Sequence, residues 1–217
     1  LSRIQKLSGP HLQRAWLNIP HVTHHDEADI TDLDAFRRSL TSPTEDSTVR
    51  VTVLTFLVKA VAAGLSRFPR FNAALSSEGE SLIYRKFFNV GIAVDTEDGL
   101  VVPVIRGVDT LGVIELANKV RELADGAQAG TLAPDDFADG TFTVTNLGGL
   151  GVDWFTPVLN PPQCAILGVG RVRRDPGGDG ELIVARDMAT LVLTFDHRVV
   201  DGAPCARFLG DLRARIE

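Results

Sequence analysis

The sequence predicts a fold of the α/β class, of the α+β type, in which helices pack on one face of a mixed β-sheet. Strand-like runs are joined by short turn signals such as Asp98-Gly99, which is typical of hairpins. Helical patterns are interspersed irregularly, without the strict strand–helix alternation of a doubly wound parallel sheet. With 217 residues, of which 44% are apolar and 23% charged, the chain is expected to form a single domain over residues 1–217.

The first quarter of the chain predicts two helices around one strand. A helix is expected at Ser8–Leu17, with Pro10 near its start, where a missing N–H costs least. The loose alternation of His21–Ala28 predicts a half-exposed strand. Thr31 is a good N-cap and is followed by acidic residues, so a second helix begins there. Residues 42–47 are polar and predict a loop.

The middle of the chain predicts one buried helix, three strands and one amphipathic helix. Residues 52–68 are apolar almost all round, which indicates a helix buried on several sides. Strand-like runs follow at Leu82–Tyr84, Phe88–Val94 and Leu100–Ile105. Residues 112–126 carry apolar side chains at helical spacing, so an amphipathic helix is expected there.

The last third of the chain is rich in β-formers until its final helix. Strands are predicted at Thr141–Thr145, Ala165–Val172, Glu181–Ala185 and Thr190–Phe195. The second and third of these flank Asp175–Gly180, whose prolines and glycines predict a long hairpin loop. A helix over Pro204–Ile216 closes the chain.

Composition excludes several classes of protein. The net charge of −6 gives no indication of a nucleic-acid partner. No apolar run approaches the roughly 18 residues of a membrane span, and no apolar segment follows the basic start, as a signal peptide requires. Cys164 and Cys205 form no CxxC pair, which favours a reducing compartment and excludes a cysteine-built zinc site.

His197 is the sharpest candidate for chemistry. A strand runs into this histidine, and a glycine and a helix follow. A histidine has an ordinary pKa near 6.5, which suits a general base. Asp196, Arg198 and Asp201 lie close enough in sequence to fix its tautomer. On these residues alone, a structural histidine at a tight turn is an equally good interpretation.

Two further motifs favour structural roles when they are taken alone. Hydroxyl side chains leave the strand at Thr143 and Thr145 for the glycine-rich turn 148–151, which matches no phosphate-loop pattern and is typical of a β-turn. His21, His24 and His25 lie near two acids. Because adjacent strand residues point to opposite faces, His24 and His25 are not expected to share a metal, and no metal site is predicted.

The segment Asp196–Gly202 reads Asp-His-Arg-Val-Val-Asp-Gly and resembles the DHRxxDG signature of the dihydrolipoamide acyltransferases. These enzymes form the catalytic cores of the 2-oxo acid dehydrogenase complexes. Further blocks resemble the family in the family's order, and together they span nearly the whole chain: Asn18–Thr23, Pro69–Asn72, Gly91–Thr96, Gly99–Val104 and Ala165–Val169. The resemblance favours a chemical role for His197 over a merely structural one.

The resemblance implies a fold like that of chloramphenicol acetyltransferase and a homotrimer with active sites between subunits. Coenzyme A, as acetyl-CoA or free thiol, would enter a channel from one end and the lipoyl arm from the other. His197 would be the general base and Asp201 would order the site around it. Acetyltransferases of the family usually carry serine at the position of Thr145. In this chain the Thr145 hydroxyl would stabilise the oxyanion.

The resemblance leaves the acyl group open. Thr145 and Asn160–Gln163 look like the succinyltransferases of 2-oxoglutarate dehydrogenase complexes. The blocks that look like the acetyltransferases of pyruvate dehydrogenase complexes are Asn18–Thr23, Ala28–Thr31 and Asn146–Gly151. We expect acetyl transfer. The resemblance is also compatible with a non-catalytic core scaffold subunit or a free-standing acetyltransferase of a small alcohol, and the presence of His197 argues against the scaffold.

The same resemblance implies partners outside the printed chain. We expect a domain excised from a longer chain, with lipoyl and subunit-binding domains upstream and the other subunits of the dehydrogenase complex as partners. The expected compartment is the bacterial cytoplasm, or the mitochondrial matrix in a eukaryote. Family members that build large hollow cores usually continue into an apolar tail, whereas this chain ends at the charged residues Arg213–Glu217. We expect trimers that do not join into such a core, and truncation of a longer chain is an equally good explanation of this ending.

Overall fold

A computed structural model describes residues 1–40, 50–180 and 182–217. The predicted loop over residues 42–47 and the predicted strand start at Glu181 lie outside this part. The described helices are α1 (Arg3–Asn18), α2 (Thr31–Leu40), α3 (Val53–Arg67), α4 (Val113–Ala129) and α5 (Gly202–Ile216). The described strands are β1 (His21–Asp29), β2 (Ala73–Leu75), β3 (Leu82–Tyr84), β4 (Val90–Ile92), β5 (Val94–Thr96), β6 (Gly99–Val101), β7 (Val104–Ile105), β8 (Phe142–Asn146), β9 (Ala165–Asp179) and β10 (Leu182–Asp196).

Six of these strands form one sheet in the order β1-β10-β9-β8-β4-β7. Strand β8 is parallel to both of its neighbours, β9 and β4, and the other pairs are antiparallel. The prediction of a mixed sheet is therefore confirmed. Strands β5 and β6 form a separate antiparallel hairpin, which turns at Glu97-Asp98.

Side chains alternate between the two faces of the sheet, as the strand geometry requires. On one face, Phe142 and Val144 of β8 and Leu167 of β9 belong to the buried core that α3, α4 and α5 cover. The centre of this core is aromatic, since the Phe208 ring of α5 stacks on Phe71 with centroids 4.1 Å apart. Helix α3 contacts α2, α4 and α5. These contacts explain why residues 52–68 are apolar almost all round.

Helix α1 corrects the prediction in two respects. It begins at Arg3 rather than Ser8, because Ser2 and Gln5 form a reciprocal capping box, and it keeps Pro10 in its interior. Its side chains Ser8, His11 and Leu12 line a cavity together with Thr143, which faces away from the core. Helix α1 therefore lies on the opposite face from α3–α5, so the helices do not all pack on one face.

The long hairpin β9–β10 corrects a second prediction. The turn residues of Asp175–Gly180 predict a loop, but β9 extends through residue 179 and pairs with β10. Cross-strand pairing, such as Ala185 opposite Pro176, overrides the local turn signal. In the described residues, no helix is both long and apolar enough to cross a membrane.

Candidate active site

His197 stands on the turn that joins β10 to α5. Its backbone N–H donates to Pro20 O at 3.1 Å, and its ring packs against Phe195 with centroids 5.7 Å apart. The side chain is exposed. Phe195 is fully buried, so the turn rests on a rigid strand end while the imidazole reaches outward. The geometry leaves the ring accessible to a substrate.

An ion pair between the buried Asp196 and the exposed Arg198 holds this turn. Asp196 is 4% exposed, and its carboxylate accepts hydrogen bonds from Arg198 N at 2.9 Å, Nε at 2.9 Å and Nη2 at 2.7 Å. The hydrogen bond to Asp196 raises the pKa of the Arg198 guanidinium above its ordinary value. Of the charged residues that the sequence places around His197, Arg198 and Asp196 therefore bind each other in the structure.

Asp201 lies at the start of α5, four residues after His197. Its backbone carbonyl accepts from Cys205 N at 3.1 Å, and its side chain is exposed. The N-terminal end of a helix favours a negative charge, which suits a carboxylate at this position. Within the described residues this carboxylate makes no side-chain capping bond.

Thr145 lines a cavity of about 520 Å³ on the sheet face opposite α3–α5. The walls are mainly apolar and include Leu100, Val102, Phe137, Phe155, Val158 and Ile166. Polar groups are few: His11 Nε2 lies 3.1 Å from Asn160 Oδ1, and Thr143 Oγ1 donates to Gln163 Oε1 at 2.5 Å. A mostly apolar cavity with a few placed polar groups is typical of a site for a small organic ligand.

The structure does not bring Thr145 and His197 together within one chain. Thr145 lies opposite Gly168 on β9, and Gly168 lies opposite Val192 on β10, five residues before His197. Two strand spacings of about 4.8 Å and five residues of about 3.3 Å separate the two backbone positions by about 19 Å. Acid–base chemistry needs contacts of about 3 Å, so the pair cannot act on one bond inside a single chain.

His24 and His25 of β1 point to opposite faces of the strand, as the alternation predicts. His24 packs edge-on against the core residue Phe195, whereas His25 packs on Trp154 on the other face. In the described ranges no group of three or more metal-ligating side chains occurs. His21 makes hydrogen bonds with both ring nitrogens, a role that the sequence interpretation missed.

The sequence interpretation also missed His11 and Asn160 as cavity residues. His11 lies on a helix without any distinguishing motif, so its sequence carried no signal of the cavity. Asn160 belongs to a block that resembles the family, and that block was the available signal.

The chain is similar in sequence to a bacterial acetyltransferase along almost its whole length. It is 50% identical over 208 residues to the dihydrolipoyllysine-residue acetyltransferase component of the pyruvate dehydrogenase complex of Cupriavidus necator, and the match covers 96% of this chain and 37% of that protein. The chain thus spans well under half of that relative's length.

Solved structures agree with this similarity. The dihydrolipoamide acetyltransferase of Azotobacter vinelandii, studied for the catalytic roles of a serine, a histidine and an asparagine, is 42% identical with a TM-score of 0.96, covering 100% of this chain and 89% of that one. The cubic core of a pyruvate dehydrogenase multienzyme complex gives the same values. Chloramphenicol acetyltransferase, 12% identical with a TM-score of 0.61 and covering 96% and 94%, shares the fold and confirms that prediction.

The family described as 2-oxoacid dehydrogenases acyltransferase (catalytic domain) matches residues 1–217. This match covers the turn that carries His197 and the cavity that contains Thr145. The chain therefore belongs to the family of 2-oxoacid dehydrogenase acyltransferase catalytic domains.

Proposed function

We propose that this domain transfers an acetyl group between a dihydrolipoyl arm and coenzyme A. His197 takes the proton from the coenzyme A thiol, and the thiolate attacks the thioester carbonyl of acetyl-dihydrolipoamide. The Thr145 hydroxyl donates to the oxyanion of the tetrahedral intermediate. When the intermediate collapses, the carbon–sulfur bond to the lipoyl arm breaks and His197 returns the proton to the departing thiolate.

A match of spacing carries this assignment. In the Azotobacter acetyltransferase, the serine and the asparagine lie 52 residues before and four residues after the histidine. The same offsets from His197 fall on Thr145 and Asp201. Threonine retains the hydroxyl donor, although its extra methyl group restricts the rotamer. A carboxylate replaces the amide, which suits an ordering role for Asp201.

The separation of about 19 Å between Thr145 and His197 supports active sites that are shared between subunits. We propose that His197 of one subunit meets the Thr145 cavity of the next, in a homotrimer. Each subunit then contributes His197 to one site and Thr145 to another. A closed ring satisfies this head-to-tail arrangement without leaving an open end.

The cavity lining favours an acetyl group over a succinyl group. Among its described lining residues there is no lysine or arginine to neutralise the free carboxylate of a succinyl group. The apolar walls also suit the hydrocarbon chain of a dihydrolipoyl arm. The 12% identity to chloramphenicol acetyltransferase, against 50% to a lipoyl-using relative, favours the lipoyl arm over a small alcohol.

The remaining parts of the proposal concern the longer protein. We propose that lipoyl and subunit-binding domains precede this domain in the full chain, and that the other subunits of a pyruvate dehydrogenase complex are its partners. The proposed compartment is the bacterial cytoplasm, because the similar relatives named above are bacterial.

The test is acyl transfer from acetyl-CoA and from succinyl-CoA to free dihydrolipoamide, with His197→Ala beside the wild type. Acetyl transfer should exceed succinyl transfer, and the variant should lose about 10²–10⁴-fold in kcat. A preference for succinyl-CoA would retain the mechanism and overturn the assignment to pyruvate dehydrogenase. Absence of transfer from both donors in the folded wild type would overturn the enzyme assignment and favour a scaffold.

A further inference from the structure

Residues 152–160 form one wall of the Thr145 cavity. This segment contributes Phe155, Pro157, Val158 and Asn160 to the lining. It contains no helix or strand of its own, so its shape depends on what it contacts. At its start it lies close to β9: Arg171 N donates to Val152 O at 2.8 Å, and a Cβ on Gly168 would lie 2.8 Å from the Phe155 ring.

His21 holds the other end of this segment. Its Nε2 lies 3.1 Å from Leu159 N, and its Nδ1 lies 2.8 Å from Ile19 O. A backbone N–H only donates and a carbonyl only accepts, so these two contacts require a neutral imidazole that carries its proton on Nδ1. Leu159 is fully buried, which leaves its N–H no access to water as a replacement partner.

The same residue lies beside the turn that carries His197. In the sheet His21 is paired with Asp196, and His197 N donates to the carbonyl of Pro20. The ring of Trp16 contacts the imidazole with centroids 5.2 Å apart, which further limits its orientation. One side chain thus joins the strand beside His197 to the wall of the cavity that contains Thr145.

We infer that His21 is a positioning residue of the acyl-transfer site. By binding Leu159 N it fixes the wall formed by residues 157–160 relative to the turn of its own subunit's His197. This inference rests on the proposed function, in which each subunit presents His197 to one site and its cavity to another. His21 then holds the His197 turn and the Thr145 cavity of one subunit, which belong to two different sites, in a fixed relative position.

Three substitutions separate the two hydrogen bonds. His21→Gln places an acceptor near the position of Nε2, His21→Asn keeps a donor near the position of Nδ1, and His21→Ala removes both. We expect hydrogen exchange of the Leu159 amide to stay slow in the glutamine variant and to become about tenfold faster or more in the other two. The KM for dihydrolipoamide should stay near the wild-type value in the glutamine variant and rise about tenfold in the asparagine and alanine variants, while kcat changes less.

His25→Gln is the matched control. His25 lies on the same face of β1 as His21, and its ring packs on Trp154 of the 152–160 segment. We expect this variant to retain slow exchange at Leu159 and the wild-type KM. If the glutamine and asparagine variants of His21 cannot be distinguished in exchange or in KM, the inference is overturned.

The proposed function and this inference can fail separately. Titration calorimetry with dihydrolipoamide on the same variants measures the cavity without any turnover. If the wild type transfers acetyl groups and every His21 variant binds dihydrolipoamide equally well, only the inference is overturned. If the wild type neither binds dihydrolipoamide nor transfers acetyl groups, both are overturned.

Discussion

Chains that carry His197→Ala and chains that carry Thr145→Ala are expected to restore each other's activity when they assemble together. Alone, the first loses the general base, a loss of about 10²–10⁴-fold. The second loses one oxyanion donor, a loss of about 10²–10³-fold in kcat, which corresponds to about 2.7–4 kcal/mol. If each site takes one residue from each of two subunits, mixed assemblies contain some sites in which both residues are intact.

The size of the recovery follows from the geometry. With the two residues about 19 Å apart in one chain, a site draws Thr145 from one subunit and His197 from its neighbour. In a random one-to-one mixture each contribution is intact in about half of the cases, so about a quarter of the sites are wild-type. A site built within one chain would give no recovery.

The assay refolds the two variants together from denaturant at several ratios and measures acetyl transfer to dihydrolipoamide. A mixture of wild type with the double variant is the matched control. Shared sites predict about 25% of wild-type activity for this control at equal amounts, whereas sites within one chain predict about 50%. Activity that stays at the level of the single variants at every ratio, with a control near 50%, would refute the shared site.

Three further predictions concern stability and reactivity. Burial would raise the pKa of Asp211, but hydrogen bonds from its two arginine partners lower that pKa below its ordinary value. The stability that Asp211 contributes should therefore be present at neutral pH and be lost as acid titrates the folded carboxylate. Asp211→Asn should flatten this loss of stability at acid pH, measured by urea unfolding. Gly170→Ala should lower Tm, because a Cβ would lie 2.1 Å from Asp153 O. Burial raises the pKa of Cys164 and of Cys205 to about 12, so neither thiol should react with a disulfide reagent at pH 8 before unfolding.

Each of these three predictions has a control or an outcome that would contradict it. Gly178→Ala introduces a Cβ with no heavy atom within 4 Å, so an equal loss of Tm in both glycine variants would contradict the steric argument. Denaturant should release both thiols, and a fast-reacting thiol in the folded protein would contradict their burial. An unchanged acid limb in the Asp211 variant would show that its ion pairs contribute little stability.

The elements that the sequence predicted well are those set by local patterns. The buried helix α3 was expected over residues 52–68 and lies at Val53–Arg67, because its apolar residues face other elements on several sides. The final helix likewise starts within two residues of its predicted start. Local signals failed at residues 175–180, where pairing with a partner strand outweighs the turn preference of proline and glycine.

The sequence by itself determined the class of the sheet, the motif around His197 and the three residues proposed for chemistry, because motif and spacing are properties of the chain. Tertiary structure alone decided that Asp196 binds Arg198, that His21 holds Leu159, and that Thr145 lies about 19 Å from His197. The physical reason is that strand order and register arise from pairing between distant segments. A separation of 52 residues along the chain therefore fixes no distance in space.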